Sequence, residues 1–182
     1  MTIVQLLGED HGETFQKTRE LEELLTGLCY EGKASLGKNL RKARELTDYF
    51  NHELKKHMGV EEKTTFPFLA AHLPKLATLI SLLCTGHEEV RKNLRAFEFW
   101  IRQLAREKNS LRRGPLIEKA RERGIYLIHH LENHFEEETE ILYRVADQEL
   151  RLKEKRELLK RVRPESNGRR KSHGLSPARF LA

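Results

Sequence analysis

Residues 76–104 read LATLISLLCTGHEEVRKNLRAFEFWIRQL. Apolar side chains recur at steps of three and four: Leu76, Ile80, Leu83, Val90, Leu94, Phe97, Ile101 and Leu104. No period-two alternation interrupts them, so the stretch predicts one long amphipathic α-helix with a buried stripe. Pro74 stands just ahead of it, where a first helical turn accepts proline. One member of the stripe is not apolar. His87 sits at its centre, with apolar turns on both sides.

The same spacing extends through most of residues 1–150. A first helix is expected from about Thr2 to Tyr30, ending near Gly32. A second runs from about Ser35 to Ala71 and carries Leu36, Leu40, Ala43, Leu46, Phe50 and Leu54 on one line. A fourth starts near Pro115, with Leu116, Ala120, Gly124, Leu127 and Leu131 leading to Leu142 and Val145. Connections are short and contain Gly or Pro. The expectation is an all-α chain, an antiparallel up-down-up-down four-helix bundle over 1–150, followed by a basic C-terminal tail.

Composition agrees with a water-facing helical protein and redirects attention away from one tempting function. Among 182 residues, Lys and Arg outnumber Asp and Glu by 34 to 28, a formal charge of +6. Residues 151–182 hold 11 basic and 3 acidic side chains, a balance of +8, and leave 1–150 at −2. The basicity therefore belongs to the tail. That tail reads as a charged helical extension from Glu149 to about Arg161, stopped by Pro164 and Gly168, and then as a disordered segment around Arg169-Arg170-Lys171. A contact between 151–182 and nucleic acid or an acidic partner is the competing reading, but no aromatic residues interleave with the basic ones. No stretch has the roughly 18 consecutive apolar residues of a membrane span. The start lacks the layout of a secretory signal, and Cys29 and Cys84 form neither a disulfide framework nor a metal-type spacing. A cytoplasmic location is the corresponding expectation.

The polar members of the stripes carry the chemistry. In the second helix Phe50 and Leu54 lead on to His57 and Glu61. In the fourth, Leu127 and Leu131 lead to His134 and Glu138. In the first, His11 precedes Phe15 by one turn. Each helix thus aims one histidine at the bundle axis, and two add a glutamate four residues later. An internal repeat sharpens the pattern. His52, Leu54, His57, Glu61 and Phe66 recur at one offset as His129, Leu131, His134, Glu138 and Tyr143. Two such halves would gather four imidazoles and two carboxylates.

A single core histidine ordinarily bonds a backbone carbonyl, and a lone His-x-x-x-Glu is common on exposed helices. The whole set is different, because two buried, facing carboxylates cost several kcal/mol each and repel one another. A multivalent cation compensates them, and neutral imidazoles complete its coordination. Imidazole with carboxylate suits iron, manganese or zinc. Two carboxylates with two histidines per metal fit a dinuclear site.

At Glu9-Asp10-His11, His57-Met58-Gly59-Val60-Glu61-Glu62, His87-Glu88-Glu89 and His134-Phe135-Glu136-Glu137-Glu138 the sequence resembles the hemerythrin-like family, the HHE cation-binding domain. The resemblance spans roughly residues 5–146. It implies a four-helix bundle holding an oxo- or hydroxo-bridged non-haem di-iron centre, with His11, His57, His87 and His134 as terminal ligands and Glu61 and Glu138 bridging. Two features depart from the oxygen carriers of that family. They have a further histidine one turn from the third-helix ligand, where this chain has Leu83 and Arg91, and a His-x-x-x-x-Asp in the fourth helix, where Thr139 stands here. The fourth-helix His-x-x-x-Glu looks more like proteins that repair iron–sulfur centres, whose cysteine-bearing amino-terminal segment and additional histidine this sequence lacks.

The expected function is binding or sensing a small molecule such as O2, NO or peroxide at a di-iron centre. The alternatives are an iron-centre repair or peroxidase-like enzyme, and an interaction protein acting through its basic tail. Among the remaining candidates, His130 reads as a further ligand, a hydrogen-bonding neighbour of one, or a partly exposed helix residue. Glu62, Glu137, His52 and His129 are expected at the surface, His72 in a loop and His173 in the tail, and Cys84 as a buried inert thiol.

Overall fold

The structure is a computed structural model that describes residues 3–30 and 32–166. Among them every regular element is helical. Helix α1 spans Ile3–Tyr30 and α2 spans Gly32–Tyr49. A π-helical turn, Phe50–Leu54, joins α2 to α3 (Lys55–Val60), and a second, Glu61–Thr65, joins α3 to α4 (Phe66–His72). Tyr49, Lys55, Glu61 and Phe66 all keep right-handed helical dihedrals at these joints, so the backbone stays helical through them. The expected third helix begins as a 3₁₀ turn at Pro74–Leu76 and continues as α5, Ala77–Arg106. A further 3₁₀ turn, Ser110–Arg112, leads into α6 (Arg113–Glu136), a third π-helical segment (Glu137–Tyr143) and α7 (Arg144–Glu149).

Side-chain pairs fix how these helices run. Arg123 reaches Asn93 and His130 reaches Gly86, so α5 and α6 are antiparallel. Glu20 meets Lys42 while Thr14 meets Tyr49, so α1 and α2 are antiparallel as well.

The charged stretch expected to continue from Glu149 restarts instead as α8, Leu152–Ser166. Leu150 has an extended ψ of 137° and is itself buried, which turns the chain back on the bundle. The Arg151 amide donates to Glu154 at 2.8 Å, half of a capping box, and Lys155 closes the Asp147 carbonyl. Leu158 and Val162 are buried by this return. The basic residues Arg169-Arg170-Lys171 lie outside the described residues. Among the described residues no helix is long and apolar enough to cross a membrane.

The core divides into two apolar layers. One holds Leu21, Leu25, Phe50, Leu54, Met58, Val90, Leu94, Phe97, Leu131 and Phe135. The other holds Ile3, Phe66, Leu69, Leu83, Leu142, Tyr143, Leu158 and Val162. On each helical stretch the chain crosses from one layer to the other at a polar residue: His11 on α1, Glu61 between Met58 and Phe66, His87 between Leu83 and Val90, and Glu138 between Phe135 and Leu142. The polar side chains of the stripes therefore form a slab closed on two sides by hydrocarbon.

Candidate metal centre

The six stripe residues meet in that slab. The Nε2 atoms of His11 and His57 are 3.2 Å apart, and His11 Nε2 lies 3.2 Å from Glu138 Oε2. His57 Nε2 is 3.2 Å from Glu61 Oε1, and His134 Nε2 is 3.0 Å from Glu138 Oε1. His87 Nε2 faces both carboxylates, 3.4 Å from Glu61 Oε2 and 3.7 Å from Glu138 Oε1. Donor atoms of His11, His57, Glu61 and Glu138 lie within 4.8 Å of one another, and those of His87, His134 and Glu138 form a second such group. Glu138 is common to both. Either group could hold a metal ion.

The electrostatics are those of a site built for a cation. Burial and the facing charge of Glu138 both push the Glu61 carboxyl up, yet the close rings of His57 and His87 hold it at about 2. Burial likewise pushes Glu138 up, and the close rings of His11, His134 and His87 more than reverse it. Burial lowers His87, but the two carboxylates raise it to about 9. A proton on His87 therefore stands in for positive charge between the two carboxylates. It does not satisfy the geometry. Glu61 Oε2, His87 Nε2, His134 Nε2 and both oxygens of Glu138 are buried with no hydrogen-bond partner. Five converging orphan atoms, all hard or borderline donors, fit an ion of the iron, manganese or zinc type.

Around this centre lie residues that the periodicity argument did not single out. Glu62, expected at the surface, is half-buried, and its Oε1 accepts from His87 Nδ1 at 2.8 Å and from Arg91 at 2.7 Å. His11 Nδ1 lies 3.1 Å from the Thr139 hydroxyl. Outer-nitrogen contacts of this kind fix which ring nitrogen carries the proton and turn the other inward. The buried Tyr143 hydroxyl donates to Glu61 Oε1. Its counterpart in the first half of the repeat is Phe66, stacked on His87 with ring centroids 5.6 Å apart, so the two carboxylates have different surroundings.

The π-helical segments explain the oversight. With hydrogen bonds from i to i+5, residues five apart are drawn toward one face. Tyr143 follows Glu138 by five positions within Glu137–Tyr143. A stripe counted at 3.6 residues per turn places it elsewhere. The offset that paired Tyr143 with Phe66 in the repeat was the available clue.

The other candidates stay off the centre. His130 is partly exposed, its Nε2 donating to the Gly86 carbonyl at 3.1 Å, which aims the ring at α5 and away from the carboxylates. Glu137, His52 and His129 are exposed. His72 ends α4 and bonds the Phe68 carbonyl at 2.9 Å. Cys84 is partly buried, and burial pushes its thiol up, away from the reactive thiolate. Gly86 matters for a different reason: a Cβ there would stand 2.9 Å from His134 Nδ1. Only a residue without one lets the ring lie flat on α5.

Fold and site together define an all-helical protein whose buried His/Glu cluster could hold a metal. The sequence profile of the Hemerythrin HHE cation binding domain matches residues 2–146. The chain belongs to that family. No curated protein and no solved structure gave a match.

Proposed function

We propose that this chain is a non-haem di-iron protein that binds or senses a small molecule such as O2, NO or peroxide. In this reading His11, His57, His87 and His134 are terminal ligands, and Glu61 and Glu138 bridge. The folded unit, working in the cytoplasm, is an up-down-up-down four-helix bundle over 1–150, against which α8 of the basic 151–182 stretch packs through Leu158 and Val162. The observation that carries it is the set of converging buried atoms without hydrogen-bond partners on Glu61, His87, His134 and Glu138. Leaving them so costs about 1–3 kcal/mol per neutral group and more per charged one, which a resident cation relieves.

When bound, the metal pair supplies redox change and an open coordination position for a small ligand. The chain supplies the rest. His11 and His87 present Nε2 inward because their outer nitrogens are engaged by Thr139 and Glu62. Tyr143 holds one oxygen of Glu61 in place. Phe66, Phe135 and the two apolar layers keep bulk water from the carboxylates, which strengthens every charge interaction inside.

The test is elemental analysis after anaerobic loading with ferrous iron, with an ultraviolet–visible spectrum of the oxidised protein. About two irons per chain are expected, as in di-iron carboxylate bundles, with near-ultraviolet absorption. His87→Ala and Glu61→Ala should lower the iron content. A stoichiometry near zero in the unaltered chain overturns the reading.

A further inference from the structure

His87 is fully buried, and its Nδ1 nevertheless meets a carboxylate that touches solvent. Glu62 Oε1 accepts from that nitrogen at 2.8 Å, with the Glu62 side chain 29% exposed. The same oxygen accepts from Arg91 Nη2 at 2.7 Å. Arg91 lies four residues beyond His87 on α5 and so shares its helix face. An ionised carboxylate can only accept, so the proton on that side belongs to Nδ1. The remaining nitrogen, Nε2, points between Glu61 and Glu138. Glu62 itself belongs to neither group of converging donors.

We infer that Glu62, braced by Arg91, is a positioning residue that fixes the Nδ1–H tautomer and ring orientation of His87, so that Nε2 is delivered to the metal as a preorganised donor. The inference rests on the metal-centre reading above. Glu62 contributes no metal bond of its own. Its hydrogen bond holds the ring still, while Arg91 keeps the carboxylate aimed inward. Of the two carboxylates that sit side by side in Glu61-Glu62, one therefore faces the metal and the other faces a ligand's back.

Ferrous iron titrated anaerobically against a competing chelator tests this. Glu62→Ala should weaken binding by ~10–100-fold, the usual effect of removing an outer partner of a ligating histidine. Glu62→Gln keeps an acceptor oxygen without the charge and should recover part of the loss. Arg91→Ala should weaken binding less, and should add nothing further in the Glu62→Ala background, because two residues acting through one contact are not additive. A second readout does not depend on affinity. In the zinc-loaded protein, the His87 Nδ1–H proton should resonate far downfield and exchange slowly in the unaltered chain and in Glu62→Gln, and lose both signs of its hydrogen bond in Glu62→Ala. Unchanged iron affinity and an unchanged His87 Nδ1–H resonance in Glu62→Ala, alongside loss of iron in His87→Ala, overturn the inference and leave the metal centre standing. Additive losses in the double variant overturn the role of Arg91. Full iron binding by His87→Ala overturns the metal-centre reading on which the inference rests.

Discussion

At the scale of single residues, His87 shows what the metal-free site does with its charge. Burial opposes its protonation, but Glu138 and Glu61 raise its pKa from 6.5 to about 9. A histidine raised in the folded state contributes stability that is complete below its unfolded pKa and is lost as pH rises through the folded one. The metal-free protein should therefore lose thermal stability between about pH 6.5 and 9, by an amount on the order of 3 kcal/mol from this group. Metal-loaded protein, in which His87 is neutral at both ends of that range, should show a flatter profile. Circular-dichroism melts of both forms across that range check the sign, and a flat metal-free profile would contradict the ion-pair cluster. Gly86 is the second residue on which the site turns. In Gly86→Ala the new methyl crowds His134 Nδ1 at 2.9 Å. The metal-free ring can yield by a few tenths of an ångström, whereas a ligating ring cannot. Iron affinity should fall while the melting temperature of metal-free protein changes little, and equal effects on both would show the crowding to be merely structural.

The helical elements carry their information in a departure from ideal periodicity. The segments Glu61–Thr65 and Glu137–Tyr143 are π-helical and contain Glu61 and Glu138 themselves. Such turns forfeit regular i to i+4 bonding, and their recurrence at functional sites reflects the side chains they re-aim. Here the gain is a phenol on Glu61. Tyr143→Phe should keep the fold but cost about 1–3 kcal/mol, the range for a buried charged acceptor that loses its donor. The expected readouts are a lower melting temperature and weaker iron binding, because Glu61 is then free to turn. Inserting one alanine after Glu140, which is exposed, puts Tyr143 six positions from Glu138 and off the face they share, and should abolish iron binding with helicity intact. Iron binding that survives the insertion would remove the case for a functional π-helical segment.

For the molecule as a whole, the polar slab depends on both hydrocarbon layers, and the second is completed late in the chain. Leu158 and Val162 of α8 are buried with Phe66, Leu142 and Tyr143, which lie about one helical turn beyond Glu61 or Glu138. Removing residues 152–182 exposes that layer and forfeits about 1.5–3 kcal/mol for each of the two side chains. Removing only 167–182 takes no described contact away. Thermal melts and iron content of the two truncations should diverge, the longer deletion losing both stability and metal and the shorter one neither. If the longer deletion holds iron as well as the full chain, α8 is dispensable to the centre.

Much of this was legible in one dimension. Helix is readable from 3.6-residue periodicity because each helix buries one face, and a histidine or glutamate on that face must go where its apolar neighbours go. Hence His11, His57, Glu61, His87, His134 and Glu138 could be named as a set from spacing and internal repetition alone. What that periodicity left undetermined was everything depending on contacts between helices or on departures from ideal pitch. Glu62 is a half-exposed glutamate among many until α5 brings His87 and Arg91 against it. Tyr143 counts off the stripe until a π-helical segment turns it back. Leu158 and Val162 sit in a charged run whose burial follows only from the turn at Leu150. Sequence spacing records which face a side chain occupies within its own helix, whereas the partner it meets is set by packing across helices distant in the chain.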